Sequence, residues 1–210
     1  AVMLEPIQGE AGVIIPRQDY LNEVNTVCEE NDWLFILDEV QSGMGRTGKL
    51  FAHQYNNLTP DLICLAKGLG NGVPIGACLA KGRASEMLIT GTHGSTFGGN
   101  PLAISVAKTV LNLLLDNNFL KKIDDISRYL WQELINVQKQ SDEILDVRGA
   151  GLLLGIKTKS PNEKINKLFM ENHLLAVCAS DNIIRFTPPL IIEKYHVDEA
   201  IAKIKKSLIK

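Results

Sequence analysis

The chain has 210 residues, of which 45% are hydrophobic and 22% are charged, a composition typical of a folded chain with a sizeable core. The 22 basic and 24 acidic residues leave a net charge of −2, which gives no electrostatic reason to expect nucleic acid or a membrane surface as a partner. The apolar runs, such as residues 111–115, are much shorter than the ~20 residues that a membrane span needs.

The first half of the chain alternates short apolar runs with helical patterns. It predicts a strand at residues 2–4, a Gly/Pro loop through residue 16, a helix over 19–31, and strands over 34–37 and 62–66. Such alternation is typical of a parallel sheet covered on both faces. Ligands of these sheets bind beyond the carboxyl ends of the strands, where Asp38 and Lys67 follow two apolar runs.

The second half predicts a smaller α+β domain. Residues 102–115 form a helix that is apolar nearly all round, which predicts burial between layers. A second, amphipathic helix has its apolar face marked by Phe119, Leu120, Ile123, Leu130, Leu134 and Val137. After a break at residues 149–151, we expect strands over 152–156, 174–179 and 183–186, with helices over 163–172 and 197–208. The predicted domains are therefore residues 1–106 and 107–210.

The cysteines and histidines predict neither a disulfide framework nor a metal site. Cys28, Cys64, Cys78 and Cys178 are widely spaced, and the first three lie in apolar or helical runs, where cysteine usually acts as a small core residue. The four histidines are scattered along the chain. The sequence therefore predicts a reduced, cytoplasmic protein without a metal.

The chain begins inside a predicted strand, without an initiator methionine or a signal peptide. Residues before such a strand normally supply the rest of its sheet. We therefore expect the chain to be the C-terminal portion of a longer protein.

Two segments resemble nucleotide-binding motifs but depart from them. Gly43–Lys49 nearly matches the phosphate-binding P-loop, but Leu50 replaces the Ser or Thr that would hold magnesium. Residues 34–39 resemble the acidic, magnesium-binding strand of the same nucleotide site. However, this strand precedes the P-loop-like segment instead of following it, and only a few residues separate the two. The glycines at 68, 70 and 72 fail the dinucleotide fingerprint because the third falls one residue early. A nucleotide-binding function is therefore disfavoured, although it stays open.

Lys67 is the candidate nucleophile. A lysine that closes an apolar strand is poorly placed for water, and burial lowers the pKa of an ammonium, which makes the amine reactive toward aldehydes. The flanking glycines leave room for a planar cofactor. Considered alone, Lys67 is more readily interpreted as a surface lysine at a strand end beside a turn.

Five linked blocks resemble the class III, or ornithine-type, aminotransferases of the pyridoxal 5′-phosphate (PLP) fold type I. They are residues 5–10 (EPIQGE), 37–48 (LDEVQSGMGRTG), 66–70 (AKGLG), 93–101 (HGSTFGGNP) and 148–152 (RGAGL). The resemblance covers essentially the whole chain. It implies an aspartate-aminotransferase-like α/β fold, with part of a large domain built on a mainly parallel sheet and a C-terminal α+β small domain.

The resemblance also implies a set of cofactor contacts. Lys67 would bind PLP as a Schiff-base lysine, and Asp38 would pair with its pyridine nitrogen. Val40 would pack on the ring, and Gln41 would contact its phenolic oxygen. Ser95 and Thr96 would bind the phosphate, with Thr96 reaching the site of the neighbouring subunit, so that a homodimer with shared active sites is implied.

Two further residues are implied in substrate binding. Arg185 resembles the arginine that grips the substrate α-carboxylate, a task that suits a planar guanidinium. Glu10 resembles a gating glutamate that neutralises a site arginine in one half-reaction and moves away in the other. Glu39 and Arg46 are interpreted as structural.

Within the family, the blocks are most similar to members that act on N-acetylornithine, with 2-oxoglutarate as the expected acceptor. Members that act on succinylornithine or ornithine are close behind. The residues that the family places earlier in its chains hold a phosphate loop, a ring-stacking aromatic and an arginine for the distal carboxylate. We therefore expect residues 1–210 alone to bind PLP weakly or not at all, and an inactive, dimerising remnant remains the alternative.

Overall fold

A computed structural model describes residues 1–209. The chain forms two compact units. The first consists of Ala1–Pro6 and Pro16–Leu120, and the second of Ile7–Ile15 together with the described chain from Lys121 onward. The division into domains 1–106 and 107–210 stays a prediction.

The first unit is built on a four-stranded sheet in the order β1-β2-β3-β4. Its strands are β1 (Val2–Leu4), β2 (Phe35–Asp38), β3 (Leu62–Leu65) and β4 (Ala77–Ala80). The first three are parallel, as predicted, while β4 runs antiparallel to β3. The unit also contains α1 (Tyr20–Glu30), α2 (Arg83–Met87), α3 (Pro101–Leu114) and two short 3-10 turns, Ala52–Asn56 and Lys67–Leu69. The predicted α/β class with a mainly parallel sheet is confirmed.

Packing of α1 against the sheet explains why β2 is a buried strand. Leu21 and Cys28 of α1 form one apolar cluster with Phe35 and Leu37 of β2. Phe35 and Leu37 are alternate residues and are at most 1% exposed, so both point to the α1 side. Burying such side chains contributes about 1.5–3 kcal/mol each, and this holds the strand that ends at Asp38.

The prediction that the apolar helix after residue 100 is buried between layers is wrong for its leucine-bearing surface. In α3 the small side chains of Ala103 and Ala107 are buried, whereas Leu102 is 69% and Leu113 58% exposed. The helix therefore packs through its alanines and presents leucines on its outer surface. Asn100 starts the helix by accepting a hydrogen bond from the Ala103 amide, with Pro101 at the first helical position.

The second unit contains an antiparallel sheet in the order β5-β6-β8-β7. Its strands are β5 (Ile144–Ala150), β6 (Leu153–Thr158), β7 (Val177–Ala179) and β8 (Ile183–Phe186), and its helices are α4 (Asn117–Gln138, which starts in the first unit), α5 (Asn162–Glu171) and α6 (Lys194–Leu208). Along β8, Phe186 lies near Phe169 of α5, with ring centroids 6.2 Å apart, whereas Ile183 packs on Ile7 and Val13. Consecutive residues of β8 therefore face opposite sides, and Arg185, two residues after Ile183, shares the side of Ile183.

Strand β5 was not predicted, because the glycines within residues 149–151 were expected to interrupt regular secondary structure. Gly149 lies inside β5 with φ +141°, and a Cβ there would come within 2.2 Å of the Leu153 carbonyl oxygen. The glycine allows close approach of β6 within the hairpin and does not end the strand. Among residues 1–209, no helix has the length and apolar character needed to cross a membrane.

Candidate active site

Asp38 is the last residue of β2, at the edge of the sheet where ligands of parallel sheets bind. It is half-buried and lies opposite Cys64 in the parallel register with β3. Its Oδ1 accepts a hydrogen bond from the Val40 amide over 2.9 Å. This local turn fixes the carboxylate at the strand end and holds Val40, which is also half-buried, just beyond it.

Lys67 follows the end of the neighbouring strand, β3, and opens the short 3-10 turn Lys67–Leu69. Its φ is +37°, a left-handed conformation that lysine seldom adopts. The carbonyl of Lys67 accepts hydrogen bonds from the Gly70 and Asn71 amides, each over 3.2 Å, and these stabilise the turn. The expectation that Lys67 is shielded from water is wrong for this structure, because the turn directs the chain out of the sheet and leaves Lys67 exposed.

The remaining predicted cofactor residues lie in loops of the same unit. Gln41 is half-buried in the turn that follows Asp38. Ser95 and Thr96 are exposed in the loop before α3, where the Ser95 hydroxyl accepts a hydrogen bond from the Gly98 amide over 3.0 Å. The structure thus brings Asp38, Val40 and Gln41 together in one turn, whereas Ser95 and Thr96 form a separate loop.

Glu39, which the sequence indicated to be structural, is the centre of a buried hydrogen-bond network whose other members the sequence did not predict. This residue has no exposed surface, and its carboxylate accepts four hydrogen bonds. Oε2 accepts from the Ser42 hydroxyl (2.7 Å) and the Ala52 amide (3.0 Å), while Oε1 is 2.9 Å from both the amide and Nδ1 of His53. Burial opposes ionisation of Glu39, but the bonds from His53, Ser42 and Ala52 outweigh it and hold its pKa below the usual range. A charged residue directly after Asp38 was the one signal available.

Glu10 and Arg185 form an ion pair in the second unit. Nη1 of Arg185 donates to Glu10 Oε1 over 2.7 Å. The arginine side chain is 10% exposed and that of the glutamate 69%, so the carboxylate reaches the guanidinium from the solvent side. The buried Nε of Arg185 makes no hydrogen bond. Buried polar atoms are usually paired, which makes this guanidinium a candidate binder of an added carboxylate.

The loop that carries Glu10 is anchored at several points. Gln8 and Ile14 exchange two backbone hydrogen bonds of 3.0 Å, which closes the loop at its base. The Ser180 amide donates to the Glu10 carbonyl over 3.1 Å. Val13 is fully buried although its φ is +53°, a strained value for a β-branched residue. The loop is therefore held in one conformation that brings Glu10 to Arg185.

The cysteines differ more in their surroundings than the sequence predicted. Cys28 is a buried core residue as expected, but Cys78 is exposed, because β4 presents that face to solvent. Cys64 and Cys78 are partners across the antiparallel β3–β4 pair. Burial raises the pKa of the Cys64 thiol, and Cys78 and Asp38 raise it further. Within residues 1–209, no group of three or more His, Cys, Asp or Glu could hold a metal ion.

The segment that resembles a P-loop does not have the structure of one. Residues 43–49 form a series of turns between β2 and the 3-10 turn Ala52–Asn56, and no helix begins at Lys49. A P-loop must open a helix, so that backbone amides and the helix N-terminus meet the phosphates. The departure seen in the sequence at Leu50 is therefore matched by the fold.

The model of the family described as "Aminotransferase class-III" matches residues 1–208, and the chain belongs to this family. It is 42% identical over 206 residues to a protein named acetylornithine aminotransferase from Agrobacterium fabrum, which covers 98% of this chain and 52% of the relative. The acetylornithine aminotransferase structure from Elizabethkingia anophelis superposes with a TM-score of 0.92 at 36% identity, covering 99% of this chain and 56% of that one. The ornithine aminotransferase structure from Plasmodium yoelii superposes with a TM-score of 0.90 at 41% sequence identity, and the match covers 98% of this chain and 57% of that one. The chain spans about half the length of the curated relatives it matches.

Class-III aminotransferases use PLP, and the side chains of the first unit fit that group chemically. Lys67 offers a primary amine for its aldehyde carbon, and Asp38 a carboxylate for its pyridine nitrogen. Gln41 offers an amide for the phenolic oxygen, and the exposed Ser95 and Thr96 offer hydroxyls for the phosphate. Within the second unit, Arg185 and Glu10 supply a charge pair suited to a substrate carboxylate.

Proposed function

We propose that this protein is a PLP-dependent aminotransferase that converts N-acetylornithine and 2-oxoglutarate into N-acetylglutamate 5-semialdehyde and glutamate, a step of arginine biosynthesis. The observation that carries the proposal is the position of Asp38 and Lys67 at the carboxyl ends of the adjacent parallel strands β2 and β3. Identity of 42% to an acetylornithine aminotransferase supports the choice of donor.

Lys67 and Asp38 carry the chemistry in this proposal. When bound, PLP supplies an electron sink that stabilises negative charge on the substrate carbon bearing the amine. The amine of Lys67 would hold the cofactor and, when free, would accept a proton from the substrate carbon that bears the amino group and pass it to the cofactor carbon that receives that group. The Asp38 carboxylate would pair with the pyridine nitrogen and favour its protonated form.

The other residues orient the cofactor. Val40 packs on the ring, and the Gln41 amide donates to the phenolic oxygen. Ser95 and Thr96 bind the phosphate, with Thr96 contributed by the neighbouring subunit of a homodimer. The partners are therefore a second copy of the chain and two small substrates, and we propose a cytoplasmic location, in keeping with four free thiols.

Arg185 and Glu10 distinguish the two substrates. The reacting end of N-acetylornithine has an amine but no carboxylate, so Glu10 neutralises the Arg185 guanidinium while this donor reacts. The α-carboxylate of 2-oxoglutarate then replaces Glu10 on Arg185. The Glu10 side chain is 69% exposed, so its carboxylate can move from the arginine toward solvent.

A second candidate is transamination of ornithine or succinylornithine by the same residues. The likeness to the ornithine aminotransferase of Plasmodium yoelii at 41% identity favours it. An inactive, dimerising remnant is the third possibility. The two enzymatic alternatives share Lys67 and differ in the donor, whereas a remnant would lack Lys67 chemistry altogether.

The test uses the full-length protein, purified in the presence of PLP. Borohydride reduction followed by peptide mapping is expected to place the cofactor on Lys67. Steady-state rates with N-acetylornithine, succinylornithine, ornithine and 4-aminobutyrate are expected to be highest with the first. A higher kcat/KM for another donor would replace the proposed substrate, and absence of any PLP-labelled peptide would reject the enzyme. A titration of residues 1–210 alone with PLP, followed by absorbance, tests the expected weak binding of the cofactor.

A further inference from the structure

The Glu39 side chain points away from the candidate cofactor site, yet its backbone belongs to the same strand end. Its amide donates to the Cys64 carbonyl over 3.0 Å, which extends the ladder between β2 and β3 by one residue past Asp38. Consecutive residues of a strand point to opposite faces, so Glu39 is directed into the core while Asp38 is not. A displacement of the Glu39 carboxylate therefore moves the backbone that carries Asp38.

The segment after Glu39 reaches the Lys67 turn. The Gly43 amide donates to the Glu39 carbonyl over 2.9 Å, which makes a tight turn. Met44, which is 3% exposed, follows this turn. A Cβ on Gly68 would lie 3.1 Å from the Met44 Cβ, so the segment packs directly against the residue after Lys67. Residues 39–44 thus join the two strand ends that bear the candidate catalytic side chains.

His53 closes this arrangement from the far end of the loop. It is 6% exposed, and its ring stacks on Phe51 with centroids 5.6 Å apart and an interplanar angle of 11°. An ionised carboxylate has no proton to donate, so the His53 Nδ1 that lies 2.9 Å from Glu39 must carry the hydrogen. This bond and those from the amides of Ala52 and His53 tie the far end of the loop to the Glu39 carboxylate, at the end of β2.

We infer that Glu39 and His53, which we call the clamp, are a positioning pair that fixes Asp38 and residues 39–44 for PLP binding. This inference rests on the proposed function. Neither residue touches the reacting atoms, and both act through the backbone of Asp38 and through Met44. Two of the four donors to Glu39 come from His53, so His53 is the point at which the clamp can be opened.

A matched pair of variants at His53 separates the hydrogen bond from the bulk of the ring. His53→Asn keeps an N–H donor near the position of Nδ1, whereas His53→Leu keeps the volume and removes the donor. Glu39 retains its other three hydrogen bonds in both variants. Hydrogen exchange of the amides in residues 38–44, measured without PLP, reports on the segment itself. The dissociation constant of PLP and the pH at which the absorbance of the bound cofactor changes report on the site.

His53→Leu is expected to speed exchange in residues 38–44 and to weaken PLP binding, each by about tenfold, the effect of one lost hydrogen bond to a charged group. It is also expected to shift the pH of the absorbance change, because that pH depends on the position of the Asp38 carboxylate. His53→Asn should stay within about threefold of the unchanged protein in both measurements.

Unchanged exchange in residues 38–44 of His53→Leu would overturn the inference. So would a variant that loses only thermal stability, while its PLP affinity and absorbance stay the same, since the clamp would then be merely structural. If the unchanged protein binds no PLP but His53→Leu still loosens the segment, the proposed function fails and the clamp stands as a device that positions Asp38. If His53→Leu does not fold, Ser42→Ala takes its place, because it removes one hydrogen bond to Glu39 Oε2. The exchange rate in residues 38–44 and the dissociation constant of PLP are then each expected to rise about threefold.

Discussion

The Arg185 guanidinium donates to the Glu10 carboxylate over 2.7 Å, although 175 residues separate the two along the chain. Residues 7–15 lie early in the sequence but belong to the same compact unit as β8. The pair therefore depends on the anchored loop and not on sequence neighbourhood. In the proposed reaction, it holds the place of a substrate carboxylate.

Replacing Glu10 with glutamine is expected to lower KM for 2-oxoglutarate up to about fivefold, because the competing ion pair, whose carboxylate side is 69% exposed, is worth about 0.2–1 kcal/mol. Arg185→Lys is expected to raise that KM about tenfold or more, since an ammonium cannot bind a carboxylate bidentately. Steady-state kinetics at varied 2-oxoglutarate measure both effects. Equal KM values in all three proteins would remove the pair from the substrate site.

Lys67→Ala is expected to abolish covalent attachment of PLP and to lower the transamination rate by at least about 10²–10⁴-fold, the usual contribution of a proton-transfer group. Lys81→Ala is the control. Lys81 belongs to the same unit as Lys67, but its amine donates a hydrogen bond to the Thr59 carbonyl and has no proposed role in catalysis. Peptide mapping after borohydride reduction measures the attachment. A PLP-labelled peptide from Lys67→Ala would show that another lysine carries the cofactor.

Acid is expected to destabilise the protein through Glu39. Burial opposes its ionisation, but the hydrogen bonds from His53, Ser42 and Ala52 prevail and lower its pKa from the usual 4.5. The folded state then binds fewer protons than the unfolded state, so this stabilisation is complete above pH 4.5 and is lost as the pH falls through the lowered pKa. Glu39→Gln should be about 1–3 kcal/mol less stable at neutral pH, yet lose less on acidification. Urea unfolding at a series of pH values measures this, and parallel losses would contradict it.

Gly155→Ala is expected to destabilise the second unit by about 1–3 kcal/mol through overpacking. The added Cβ would lie 2.7 Å from Ile183 Cγ2 and 3.2 Å from Val13 Cγ2, both of them core contacts. Gly76→Ala serves as the control, since its Cβ would meet only the Leu65 carbonyl oxygen at an ordinary 3.5 Å. Urea unfolding compares the two variants. A similar loss in both would mean that the sheet adapts to the extra methyl.

The proposed sharing of active sites between two subunits predicts complementation between inactive variants. Thr96→Glu should repel the phosphate, and Lys67→Ala lacks the amine. If Thr96 serves the neighbouring subunit, a mixture of the two gives hybrids with one intact site each, and activity should return to about one quarter of that of the unchanged protein. Thr59→Glu, at another exposed threonine, should remain active. Absence of recovery after subunit exchange would indicate sites built within one chain.

Strand ends could be predicted from the sequence because they follow from local burial. The apolar runs before Asp38 and Lys67 read as buried parallel strands, and the carboxyl ends of such strands converge. What lies beyond each strand end could not be predicted. The exposure of Lys67 depends on a 3-10 turn, and the burial of Glu39 depends on His53, 14 residues further on. Periodicity carries no information on either.

The missed strands have equally physical causes. β4 is a four-residue strand, Ala77–Ala80, that is largely exposed and rich in alanine, a residue with low strand propensity, so the sequence pattern did not mark it. β5 contains Gly149. A glycine there predicted the end of regular structure, but in the fold it allows β6 to approach closely. In α3, length and apolar content predicted the helix correctly, but the packed face is set by Ala103 and Ala107. Total hydrophobicity is therefore a poor guide to which face is buried.

If Lys67 has the proposed role, its left-handed φ sets function against stability at one residue. A side chain in this conformation costs about 1 kcal/mol relative to glycine. Variants selected for heat resistance alone would therefore tend to replace Lys67 with glycine or asparagine and gain a more stable protein without its amine. Any programme to stabilise this chain should hold Lys67 fixed and search elsewhere.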